Sequence, residues 1–552
     1  MNLTRTICPL CNDKVDRLLY RFHLDNERQV IERIKNGHPL WTENDGACSR
    51  CVDYYQTEIV IQQRMLPEIG PYFPVKSADD FIILPSGLRL DTDPRYTGKG
   101  ITICFIDSGF YLHPDIVSFR NRVKKVMDIT KPDREPEFFR LPHNESWHGT
   151  MTSVVCAGDG YLSKGLYKGI ACDAELVLLK VQDDTGQLHT QYIIDALQWV
   201  IDNYKEYGIR IVNISLGADR VTSYKESKID QLAELLIKNG VTVIAASGND
   251  EQDLIKTPAD SPNVITVGGI DDENNLEKES KLYHSTFGQT TDGFTKPELV
   301  AHAIWIAAPV LPGTKEKKEA EILYSFLQTN DDELKSELLL NSSHTRLDER
   351  VYGSNDVTFI RQCIEQRIQT AKYISPAYMH VDGTSFAAPL VTAVVAQLLE
   401  ANSTLTPLMV RQILFSTAKR IDGVAAERQG FGVIRPRKAI LKTLKREIIM
   451  KPYPSPEVNA RQNTISFYVQ NECASQISLA GTFNHWAQDV LLMEPGKNGI
   501  WKIEIPMLPA GRYHYKFFVD DKMWMEDIDN PYREPDGFNG FNSILVIEPQ
   551  TN

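Results

Sequence analysis

No run of this 552-residue chain approaches the ~18 to 20 consecutive apolar residues of a membrane-spanning helix, and its first thirty residues carry Cys, Asp, Glu and Arg where a leader would be apolar. A positive excess is also missing, since 60 Lys and Arg face 73 Asp and Glu for a net charge of −13. Clustered cations that release counterions are what hold a protein on nucleic acid, so neither nucleic acid nor a membrane is an expected partner. Glycine and proline, at 33 and 29 residues, are too few for a fibrous or low-complexity chain. Cysteine is scarce: there are nine, an odd number, and four of them form two CxxC pairs. That usage suits a reduced compartment and a metal site better than a disulfide framework, and the expected location is cytoplasmic.

Three regimes follow one another along the chain. Residues 1–64 hold Cys8-x-x-Cys11 and Cys48-x-x-Cys51 around a charged amphipathic stretch, with a helix expected from Val15 to Lys35. Four thiolates suit tetrahedral zinc, so a structural zinc module with Cys8, Cys11, Cys48 and Cys51 as ligands is expected; His23 and His38 read as solvated. Residues 65–97 are a proline-rich connector that reads as extended chain. From 98 to about 450, β-branched runs (Ile101–Ile106, Leu176–Val181, Ile211–Leu216, Val241–Ala246, Val264–Val267) alternate with helical stretches at 191–204, 228–239 and 385–400. Continuous apolar strands separated by helices predict an α/β domain, a parallel sheet with helices on both faces. Residues 453–552 lose the helical period and alternate as strands rich in Trp, Tyr and Phe, which predicts a β-sandwich.

Three short motifs carry chemistry. Asp107 ends a buried strand in Phe105-Ile106-Asp107-Ser108-Gly109; His148 opens an apolar helix in Trp147-His148-Gly149-Thr150; Ser385 stands at the head of the most apolar helix in Gly383-Thr384-Ser385-Phe386-Ala387-Ala388-Pro389. A serine hydroxyl becomes a nucleophile when an imidazole takes its proton, and the imidazole needs a carboxylate to fix its tautomer. Asn249, at the end of the Val241–Ala246 strand, adds an amide donor for an oxyanion, together with the Ser385 N–H. Taken singly, Asp107-Ser108-Gly109 reads as a turn, His148 as a helix-start residue and Gly383-Thr384-Ser385 as an N-cap.

With Asn213-Ile214-Ser215-Leu216-Gly217, Thr257-Pro258-Ala259 and Asp292-Gly293-Phe294-Thr295-Lys296-Pro297-Glu298 in the same order, about 350 residues resemble the subtilisin-like serine proteases, or subtilases. The resemblance implies a subtilisin-like fold, an Asp107-His148-Ser385 triad with Asn249, a protein or peptide substrate, and a cleft wall of Ser215, Leu216 and Gly217; Lys256, just before Thr257-Pro258, reads either as a residue near the base of the first pocket or as a solvated loop lysine. It admits calcium, for which the sequence identifies no ligands. One departure stands out: after His148-Gly149-Thr150 the family continues with a second His and small residues, whereas this chain has Met151-Thr152-Ser153-Val154. No inhibitory propeptide is recognisable before residue 98.

The last hundred residues resemble the glycogen-binding modules of the AMP-activated protein kinase β subunit, through Ala480-Gly481-Thr482-Phe483-Asn484-His485-Trp486, Gly511–Asp520 and Trp524. The resemblance implies an immunoglobulin-like sandwich in which Trp486 and Trp524 stack on glucose while Lys516 and Asn542 bond to hydroxyls. The partner is then an α-glucan or, since modules of this fold also dock, a protein. A helical insertion at 313–373, with faces led by Leu323, Leu334 and Ile360 and caps expected at Asp331 and Asp356, interrupts the α/β domain just before Ser385. The reading is an intracellular serine endopeptidase with accessory modules for targeting; the alternative is a catalytically silent scaffold that binds glucan or protein.

Overall fold

The computed structural model describes residues 6–15, 18–19, 24–63, 83–217, 221–276, 279–445, 455–471, 473–496 and 499–549. Seven parallel strands form its central sheet: β1 (Thr102–Asp107), β2 (Val123–Asp128), β3 (Glu175–Lys180), β4 (Ile209–Ile214), β5 (Thr242–Ala246), β6 (Ile265–Asp271) and β7 (Leu299–His302). Their order is β7-β6-β5-β4-β1-β3-β2, and a short antiparallel strand, Lys281–Leu282, pairs beside β6. Strands buried on both faces need helices on both faces, and the side chains divide accordingly. Ile103 and Phe105 of β1 face one core with α1 (Ser146–Ala157) and α4 (Thr384–Ala401). Cys104 and Ile106 face the other, with α2 (Thr190–Tyr207) and α3 (Lys228–Lys238). Helix α4 is apolar throughout because it lies buried at the centre of the first core.

The predicted strands lie where the β-branched runs place them, and β2 and β7 join them. The N-terminal module departs from expectation. Its helix spans Leu24–Gly37, not Val15–Lys35, because Lys14–Val15 pairs with Thr6–Ile7 in the turn that presents Cys8 and Cys11. A second helix, Ser49–Gln63, carries Cys51 and docks on the sheet domain: Arg50 donates to the carbonyls of Thr443 and Leu444 at the end of the helix Pro436–Leu444, and Tyr96 donates to Asp53 at 2.7 Å. The connector from 65 to 82 lies outside the described residues; beyond it, Ser86–Arg89 forms a helical turn where extended chain was expected.

The insertion folds as helices Lys315–Gln328, Asp331–Leu340, Glu349–Gly353 and Val357–Thr370, which bury Leu323, Phe326, Leu334, Leu338, Ile360 and Ile364 against one another. Asp356 caps the last helix as expected, while Asn330, not Asp331, holds the cap position of the second; Asp331 instead pairs with Arg361. Leu327 and Leu339 of these helices are 37 % and 50 % exposed. An antiparallel pair, Ile306–Pro309 with Tyr378–Val381, joins the insertion to the sheet domain. The C-terminal region is a sandwich of a four-stranded and a five-stranded sheet enclosing Phe467, Leu479, Trp501, Tyr515 and Phe517.

Candidate active site and accessory sites

Asp107 ends β1 at the carboxyl edge of the sheet, where open α/β folds collect their functional groups. The first turn of α1 brings His148 against it, and the approach is close. A Cβ on Gly149 would lie 2.3 Å from the Gly109 carbonyl and 2.9 Å from Asp107 Cβ, so only glycine lets helix and strand meet. His148 Nδ1 lies 2.6 Å from Asp107 Oδ1, which also accepts from the Ser108 N–H at 2.7 Å. Burial pushes the imidazole down, but the charge of Asp107 and its hydrogen bond outweigh burial and hold His148 above the usual histidine value.

Ser385 occupies the first turn of α4, behind a Gly383 whose φ of 131° is open to glycine alone. Its Oγ donates to the Ser215 carbonyl at 3.2 Å, and Ser215 Oγ returns a bond to the Ser385 carbonyl at 3.0 Å. Helix α4 is thereby tied to the predicted cleft wall. Phe386 packs its ring 5.9 Å from that of His148, so the heads of α1 and α4 converge. Asn249 Oδ1 accepts from Thr384 N at 2.8 Å and from Thr384 Oγ1 at 3.0 Å. With its oxygen committed, the amide presents Nδ2 as a donor. His284 Nδ1 lies 2.8 Å from the Asn249 carbonyl and holds the loop from the other side. Thr384 and His284 were not legible in the sequence, because their partners are set only by the meeting of α4, β5 and the segment after β6.

The cleft-wall residues Ser215, Leu216 and Gly217 follow β4 directly, the strand ending at Ile214. Lys256 does abut this wall, since a Cβ on Gly217 would lie 3.5 Å from Lys256 Cβ, but its ammonium turns to Asp253 at 2.6 Å.

The four predicted metal ligands come together. All four sulfurs lie within 4.8 Å of one another, Cys8 and Cys51 at 3.9 Å and Cys11 and Cys48 at 3.8 Å. Tetrahedral zinc with Zn–S bonds of about 2.3 Å places sulfurs about 3.8 Å apart, so the donor set fits that ion in type, number and spacing. A hydrogen bond from Cys51, foremost, holds the Cys48 thiol below its usual value, while burial lifts Cys11. His38 packs edge-on against Tyr55, and His23 lies outside the described residues. Among the described residues, no other three His, Cys, Asp or Glu donors converge in this way.

In the sandwich, Trp486 and Trp524 meet edge to face with centroids 5.9 Å apart. His485 and Trp486 both adopt left-handed backbone, φ 54° and 59°, a conformation uncommon for bulky side chains and concentrated at functional positions. Lys516 is on the neighbouring strand, and the register that pairs Tyr515 with Ser543 sets Asn542 at the next position beside it. Lys516 is engaged by Asp536, a partner the sequence did not announce.

A sequence profile of the subtilase family matches residues 98–432, well over half of the chain, and the chain belongs to that family. A second profile, the glycogen recognition site of AMP-activated protein kinase, matches residues 467–552. Among curated proteins, "Serine protease AprX" of Bacillus subtilis is 27 % identical over 328 residues, covering 58 % of this chain and 61 % of AprX. "Subtilisin-like protease 2" of Pseudogymnoascus destructans is 30 % identical over 212 residues, 38 % of this chain and 46 % of that protein. The chain thus spans about three fifths or less of the length of these relatives. The solved structure of the prenylagaramide maturation protease PagA is 19 % identical with a TM-score of 0.41, covering 65 % of this chain and 96 % of PagA.

Proposed function

We propose that this chain is a serine endopeptidase in which Asp107, His148 and Ser385 act as a unit. The observation that carries the reading is the 2.6 Å contact of His148 Nδ1 with a buried, ionisable Asp107, beside a serine at the head of α4. Asp107 fixes the tautomer that leaves Nε2 as the base. The Ser385 hydroxyl swings from the Ser215 carbonyl to Nε2, loses its proton there and attacks the scissile carbonyl. Asn249 Nδ2 and the Ser385 N–H, an amide of the first turn with no carbonyl of its own helix to meet, donate to the oxyanion. His148 then returns the proton to the leaving amine, and water repeats the sequence on the acyl-enzyme. Ser385→Ala is expected to abolish peptide and ester hydrolysis down to the residual supplied by the oxyanion donors. Full activity in that variant refutes the assignment.

The accessory modules belong to the same reading. The four thiolates hold a structural zinc ion, which supplies folding free energy to a segment with a small core of Val30, Ile34, Trp41 and Val52; Cys48→Ser is expected to lose about one zinc per chain and leave the module protease-sensitive. Reduced cysteines in this arrangement suit the cytoplasm, which we take as its location. The Trp486–Trp524 pair offers aromatic faces to the apolar side of glucose rings, with Lys516 and Asn542 beside it, and the proposed ligand is an α-glucan. Retention on glycogen is expected to be lost in the Trp486→Ala, Trp524→Ala double variant, and equal retention assigns the module to docking.

A further inference from the structure

The departure at Met151-Thr152-Ser153-Val154 falls inside α1, where all four side chains are buried, Thr152 fully so, as is Asp107. Thr152 Oγ1 lies 3.0 Å from Asp107 Oδ2 and 3.0 Å from the Gly149 carbonyl. One hydroxyl proton faces two acceptors, and the surroundings decide between them. The Gly149 carbonyl has a second donor beside it, the Ser153 hydroxyl at 2.8 Å, which also reaches the Thr150 carbonyl at 3.0 Å, while Asp107 Oδ2 has no other hydrogen-bond donor among the described residues. A carboxylate also accepts more strongly than a neutral carbonyl. The proton therefore goes to Asp107.

We propose that Thr152 is a positioning residue of the triad, holding the outer oxygen of Asp107 so that the carboxylate keeps the orientation in which Oδ1 meets the His148 imidazole. The inference rests on the triad reading above. Three donors divide over the two oxygens: His148 Nδ1–H and Ser108 N–H on Oδ1, Thr152 O–H on Oδ2. Among charged neighbours, Lys180 stands opposite Asp107 in the β1–β3 register but turns its ammonium to Asp128 at 3.0 Å, and the next strand contributes no charge to the carboxylate in its Ile214. The three hydrogen bonds, that of His148 among them, thus hold Asp107 in place. Without the Thr152 hydroxyl, the buried Oδ2 loses its donor and the anion is shared less. Asp107 then grips the His148 proton harder, and the base is neutral only at higher pH.

The test is steady-state hydrolysis against pH for the full chain, with Thr152→Val, which keeps the shape, and Thr152→Ser, which keeps the hydroxyl. Thr152→Val is expected to lower kcat/KM about tenfold and move the acid limb to higher pH, with Thr152→Ser staying within about threefold of the parent. Thr152→Ala, which cannot overpack the site, is expected to fall at least as far as Thr152→Val. An unmoved limb with parental rates in the Val or Ala variant overturns the inference, as does a Ser variant as impaired as the Val one. Labelling of Ser385 by a fluorophosphonate separates the two levels: a parent protein that takes no label refutes the triad itself, whereas a labelled parent with an indifferent Thr152→Val refutes only the role of Thr152.

Discussion

The helical insertion and the C-terminal sandwich are both additions to the sheet domain, and they are attached by opposite physics. The insertion buries its apolar faces within itself and reaches the sheet domain through a neck of one antiparallel pair, whose Met379 lies against both cores, and a few polar contacts. There Lys317 donates to the Pro376 carbonyl at 2.7 Å, Lys372 pairs with Asp382 at 2.5 Å, and the Tyr378 hydroxyl donates to Asp115. The sandwich encloses its own core too, yet it is joined by buried charge. Arg533 lies between the rings of Phe431 and Phe541, at 4.4 and 4.7 Å, and donates to the Thr295 carbonyl; Arg420 pairs with Glu526 at 2.6 Å, and Phe294 stacks near Tyr532. Burial pushes Arg533 down to about 10, still charged at neutral pH. A desolvated cation between aromatic faces tolerates no loosening, so the sandwich is built into the sheet domain, while the insertion is free to respond at its neck.

Arg533→Ala should therefore have the largest structural effect, about 2 to 5 kcal/mol, read as a lowered thermal midpoint, because it empties the space between Phe431 and Phe541 and removes the donor to the Thr295 carbonyl. A midpoint unchanged by this variant breaks the contrast. Replacing residues 315–370 with a short Gly/Ser linker should leave the sheet domain folded, since its two cores contain no insertion side chain. Small-peptide and protein-substrate turnover should then change by different factors, because the neck ends at Asp382, three residues before Ser385. Equal factors reduce the insertion to decoration. The smallest effect is expected at Lys256→Ala: its ammonium is spent on Asp253, so the cleavage profile at the first pocket should not change, and a new preference there assigns the pocket base to Lys256.

Much of the sheet domain was legible because strands buried on both faces must be continuously apolar, as in Ile103–Ile106 and Leu176–Leu179. β2 escaped notice because an edge strand reads VKKVMD, with lysines where a central strand has valine or isoleucine. The start of the N-terminal helix was misplaced because residues 14–15 are held by the cysteine turn, a long-range constraint that overrides helical periodicity. At the site, the triad residues and Asn249 announce themselves by motif, whereas Thr152, Thr384 and His284 act through partners that are distant in sequence. Thr152 was visible only as a departure from the family pattern. Its meaning depends on which oxygen of Asp107 it meets. The Arg533 interface is purely tertiary and had no sequence signal.

The account's central claim is tested most directly by the pH dependence of fluorophosphonate labelling of the full chain, with the modified residue located by mass spectrometry. The label should fall on Ser385, and its rate should rise with pH through a limb above the ordinary histidine value of about 6.5, because the Asp107 charge keeps His148 protonated longer and only the neutral imidazole accepts the serine proton. Absence of label at Ser385, or a labelling rate flat across that range, contradicts the account.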